Sequence, residues 1–65
     1  MKKRDVHALT PGLYFIYWKT GGYSVGAVGM NNEGERWLAP ANWSHGGYYD
    51  EWDRVSYVEA INPYK

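Results

Sequence analysis

The chain contains no cysteine, so neither a disulfide framework nor a thiolate zinc site can hold it together. Packing alone, or packing shared with a second chain, must stabilise 65 residues, near the lower size limit for an unstapled domain. Long apolar runs are missing too. The longest, Leu13 to Trp18, is far too short to cross a bilayer, so no membrane partner is expected. The basic start MKKRDVHALTPG leads into no apolar stretch of signal-peptide type, which leaves the cytoplasm as the expected location. Aliphatic residues are scarce: ten Leu, Ile and Val in all, against twelve aromatic residues. Most of the rings must therefore be structural.

The sequence is equally poor in catalytic sets. Without cysteine, a nucleophile would have to be serine or threonine beside a base, and Ser44-His45 carries no elbow motif around it. His45 with Asp50, Glu51 and Asp53 matches no metal-ligand spacing. Gly21-Gly22 and Gly46-Gly47 lack the following helix and Lys-Ser/Thr pair of a phosphate loop. These absences argue against an enzyme and against a cofactor or metal. Basic charge is short outside the N-terminus. Lys2, Lys3 and Arg4 supply three of seven cations, and from Asp5 onward four basic residues face seven acidic ones. A nucleic-acid binder usually carries a basic face, so this balance counts against one.

What is present reads as strands. Thr10-Pro11-Gly12 is turn chemistry. Leu13 to Lys19 is dense in β-branched and aromatic residues, with Leu13, Phe15 and Tyr17 on one face and Tyr14, Ile16 and Trp18 on the other. Both faces are apolar, which implies a strand covered on both sides, or one side left wet. Thr20-Gly21-Gly22 predicts a hairpin turn into a strand over Tyr23 to Met30. Gly26 and Gly29 inside it suit a bend, or a ring such as Trp18 lying across them. Asn31-Asn32-Glu33-Gly34 predicts a second hairpin, then Glu35 to Ala39 a third strand stopped by Pro40. Arg54 to Ile61 alternates as a fourth. Residues 1–9 lack periodicity and read as a basic tail or a short strand, ahead of a single small β domain over 10–65. Whether 1–9 pair decides between four and five strands.

The expected fold is all-β: a small, strongly bent antiparallel meander, or a closed barrel of four to five strands, with one long aromatic loop. In GLYFIYW, the GG and NNEG hairpins and the ERWLAP strand, the chain resembles small barrels of Src-homology (SH3-like) type. In being short, cysteine-free and Trp/Tyr-rich with a basic start, it is similar in style to small accessory proteins of bacteriophages and prophages. In Src-homology peptide binders an acidic loop and a row of aromatics receive proline-rich ligands; the present chain has the acidic run DEWD without that aromatic pattern.

The segment ANWSHGGYYDEWD, residues 41–53, concentrates the remaining chemistry. Trp and Tyr give large, rigid contact area at interfaces. Trp43, His45, Tyr48, Tyr49, Asp50, Glu51 and Trp52 are therefore the candidate binding residues, an aromatic surface beside carboxylates. Against this stands a simpler role, in which rings fold back to cap the core, foremost Trp43 and Trp52. Tyr48 and Tyr49 are adjacent and, if extended, point opposite ways, so at least one should face outward. Three functions follow. The first is a protein-interaction module, of the kind a phage uses to modulate a host protein. The second is single-stranded nucleic-acid binding, with Lys2, Lys3, Arg4, Lys19 and Arg36 on phosphates. The third is homo-oligomer formation, since the thin core and two-faced first strand also suit a homodimer.

Overall fold

Glycine and asparagine turns fold the middle of the chain back on itself twice. In a computed structural model of the protein, which describes residues 1–43 and 47–61, β1 (Gly12–Trp18), β2 (Tyr23–Met30) and β3 (Arg36–Pro40) form the expected antiparallel meander. The first turn closes through the Gly21 N–H, which donates to the Trp18 carbonyl at 3.0 Å. In the second, the Asn31 side chain accepts the Glu33 and Glu35 N–H groups at 2.9 and 3.0 Å. Gly34 completes that turn at φ 83°, a left-handed conformation that a Cβ would strain.

The fourth strand, β4 (Val55–Ala60), pairs with β1 rather than with β3, giving the order β3-β2-β1-β4. This is the Greek-key order. The chain leaving β3 must travel to the opposite edge of the sheet before β4 can start, which accounts for the length of the segment after Pro40. The sheet remains open, with β3 and β4 as its edges. Of the two forms expected, the meander with a returning strand is the one adopted, and the barrel is not closed.

Strand alternation then separates the faces. Tyr14, Ile16, Val28 and Leu38 point to one side and are buried. Val55 of β4 joins them, and Val6 and Trp52 pack against this set, so the core is a thin layer between the sheet and the segments that cross it. The Tyr14 hydroxyl donates to the Thr10 carbonyl at 2.7 Å, and the Trp52 indole N–H to the Arg36 carbonyl at 3.1 Å. Each buried ring thus keeps its polar atom paired. Trp52 sits on a single 3-10 turn, Glu51–Arg54.

Residues 1–9 are neither tail nor strand. Lys3–His7 forms a short helix, α1, with Val6 buried. The Met1 nitrogen donates to the Trp52 and Val55 carbonyls at 2.7 and 2.6 Å, and Arg36 Nε donates to the Leu9 carbonyl at 3.0 Å. The cause is local geometry: Val6 and Leu9, three residues apart, present apolar groups on one side of a helical turn. The inner face of the sheet needs that cover.

Candidate binding surfaces

The other face of the sheet carries Leu13, Phe15 and Tyr17 of β1 and has no covering layer among the described residues. Register places Phe15 opposite Val25 and Glu59, and Tyr17 opposite Tyr23 and Tyr57. Tyr17 and Tyr57 stack with centroids 4.4 Å apart and planes 13° from parallel. Tyr23 lies 5.9 Å from Tyr17 and meets Phe15 edge-on at 6.0 Å. These rings support one another but stay open to solvent: Tyr23 is 64% exposed and Tyr57 52%. Leu13 and Val25 are exposed beside them. The result is a contiguous aromatic platform across β2, β1 and β4.

Its electrostatics are acidic. Glu59 is the charged residue that strand register sets among these rings, next to Phe15. Crowding among neighbouring rings, and then the Glu59 carboxylate, hold the Tyr17 phenol above its ordinary pKa, with smaller contributions from Tyr57 and Tyr23. Toward β3 the same face changes character. Trp37, register partner of Gly29, lies so close to that glycine that a Cβ there would overlap its six-membered ring. A Cβ on Gly47 would also fall within 2.8 Å of the Trp37 ring. The ring that lies across a β2 glycine is therefore Trp37, not Trp18. Gly26, on the inner face, makes room for the Ile16 δ-methyl instead.

The loop residues singled out in the sequence scatter. Trp52 is 7% exposed and belongs to the core, which removes it from any contact surface. Trp43 is half-buried and stacks on Trp18, centroids 5.5 Å apart and planes 6° from parallel. Tyr48 meets Trp43 edge-on at 4.8 Å, and its backbone exchanges two hydrogen bonds with Leu38 at 2.8 and 2.9 Å. Both rings act as struts. Glu51 pairs with Arg54 at 3.3 Å. Tyr49, 44% exposed, and Asp50 remain open, lining a cleft with Lys3, His7 and Asp53. His45 lies outside the described residues. The structure thus brings Trp43 and Tyr48 together, leaves Tyr49 and Asp50 on the surface, and assigns Trp52 to the interior.

The open face matches the expectation of one side of β1 left wet; its four rings were not among the candidate binding residues, and their signal is a strand apolar on both faces in a chain too short to cover both. Among the described residues, no cluster of three His, Asp or Glu side chains is arranged to hold a metal ion. No described helix is long and apolar enough to cross a membrane. Comparison with known proteins finds no matching family model, no curated protein and no solved structure with significant similarity to the chain.

Proposed function

We propose that the protein is a non-enzymatic interaction module that binds a protein partner through the outer face of its sheet. The observation that carries this reading is the Phe15–Tyr17–Tyr23–Tyr57 platform, with two rings more than half exposed and Leu13 and Val25 at its margin. Large rigid rings that already pack against each other lose little conformational freedom on binding. Glu59 within the platform favours a partner that offers an apolar surface bearing a lysine or arginine. A phage-type modulator of a host protein is the setting we infer for such a module.

Charge placement favours protein over nucleic acid. Of the cations that could hold phosphates, Lys3 and Arg4 are on α1, Lys2 immediately precedes it and Lys19 directly follows β1, while the Arg36 guanidinium is engaged by the Leu9 and Gly34 carbonyls. A stacking platform for bases would need cations among its rings; Lys2, Arg4 and Lys19 share a groove with Tyr57 alone of the four rings, and the charge that register sets among the rings is the Glu59 carboxylate. The test compares the wild-type protein with a Tyr23→Ser/Tyr57→Ser variant and a Tyr49→Ser/Asp50→Asn variant, each immobilised and offered the same extract. A retained protein should be lost from the first variant and kept by the second. Capture indifferent to the first variant, or salt-sensitive quenching of tryptophan fluorescence by a short oligothymidylate, would refute the reading.

A further inference from the structure

The two edges of the sheet are treated differently. On β3, Leu38 exchanges both backbone hydrogen bonds with Tyr48, and the Arg36 carbonyl accepts the Trp52 indole, so that edge is partly closed. On β4 the Ile61 N–H donates to the Leu13 carbonyl, which places Tyr57, Glu59 and Ile61 in bonding register with β1. By the antiparallel pattern, the N–H and C=O groups of Val58 and Ala60 then point away from the sheet. Among the described residues nothing pairs with them. Natural sheets commonly blunt such an edge with charge, proline or cover, and on β4 Glu59 is the one charge and no proline is present. A groove runs beside it, with Ser56, Tyr57 and Val58 on one wall and Met1, the N-terminal helix and Leu9 on the other. Lys2, Arg4 and Lys19 line that groove, and the acid present, Asp5, is paired with Arg4 at 3.7 Å.

We propose that this groove accepts an extended acidic segment of a partner protein, which adds as a fifth strand on β4. Strand addition between an edge strand and a helix takes its affinity from main-chain hydrogen bonds and its selectivity from alternate side chains. Here every second side chain of the added strand faces Lys2, Arg4 and Lys19, which selects carboxylates. The intervening ones lie on the outer face next to Tyr57. A second copy of the chain is the poorer occupant: pairing β4 with its own twin by a two-fold axis brings two basic rims toward each other, at a repulsive cost. The inference stands on the edge and the groove, and does not depend on the platform binding anything.

The test uses the full chain and a fluorescein-labelled heptapeptide alternating threonine with glutamate; a threonine–lysine heptapeptide is the control. Anisotropy should rise and saturate with the acidic peptide alone and weaken as salt is added. A Lys2→Gln/Arg4→Gln/Lys19→Gln variant should lose about tenfold in affinity, because three exposed charge contacts of modest strength are removed together. Amide exchange at Val58 and Ala60 should slow on saturation, a readout that charge attraction without strand pairing would leave unmoved. The proposal is overturned if the acidic peptide fails to bind or binds no better than the basic one. It is overturned equally if binding leaves those two amides unprotected, or if an oligothymidylate binds with the same charge dependence and no protection. Protection already present without peptide, together with a sedimenting dimer, would give the edge to a second copy and also overturn it.

Discussion

Replacing Ile16 by Ala and Tyr23 by Thr probes the two faces of the sheet with neighbouring strands of one hairpin. Ile16 is 0% exposed and points into the core, against the Gly26 backbone. Truncation to Ala removes three carbons, worth about 2.4 kcal/mol at roughly 0.8 kcal/mol each, and leaves a cavity that adds to the loss. The expected cost is about 3 kcal/mol. In so small a domain this lowers the melting temperature by at least about 12 °C, and it threatens folding outright. Tyr23 on the outer face keeps only about a third of its surface covered, roughly 70 Å² of a large ring, and threonine preserves both β-propensity and part of that contact. Its edge and tilted contacts to Phe15 and Tyr17 bring the expected cost to about 1 kcal/mol. Urea unfolding followed by tryptophan fluorescence measures both variants in one series, with unchanged slopes confirming that the comparison is one of stability. Equal costs would refute the assignment of an uncovered face, since only a ring packed beneath another layer could match Ile16.

Three further outcomes follow from individual contacts. Gly29→Ala should destabilise by about 1–3 kcal/mol, because the new methyl overlaps Trp37 and the ring cannot leave without abandoning Gly47; thermal melts would detect it. Trp52→Phe should cost about 1–3 kcal/mol by leaving the Arg36 carbonyl unpaired in a partly buried site, read by the same unfolding assay. In an alkaline spectrophotometric titration, Tyr17 should ionise above the ordinary phenol range, and Glu59→Gln should bring it down. The sign follows from linkage. The raised folded pKa means that this stabilising effect is complete below the unfolded phenol pKa and is lost as pH climbs through the folded one. An unshifted Tyr17 would separate it from its neighbours.

The turns were readable because their chemistry is local. Asn31 and Gly34 do in the fold what their side chains, or lack of one, require, and the 23–30 strand takes its expected bounds. Alternation along 13–18 was readable as well, but not which side would be covered, since Leu13-Phe15-Tyr17 and Tyr14-Ile16-Trp18 are equally apolar. That choice is made by distant residues: Val6 and Trp52 pack against Tyr14 and Ile16, and Val55 of β4 joins them. The strand order was hidden for the same reason, because nothing in VSYVEA marks β1 rather than β3 as its neighbour. Helix α1 is a single short run of charged residues around Val6, too brief for periodicity to register, with the Val6–Leu9 spacing as its one trace. Within the loop, the fate of each ring depended on contacts with Trp18, Leu38 and Arg36 that no local pattern encodes.

Whether the outer rings are open is measured most directly by photochemical nuclear polarisation with a flavin dye, which enhances only those tyrosine and tryptophan rings the dye can touch. Assigned Tyr23 and Tyr57 signals should be strongly enhanced, and Tyr14 and Trp52 should stay silent. Silent Tyr23 and Tyr57 in the isolated monomer would contradict an open outer face.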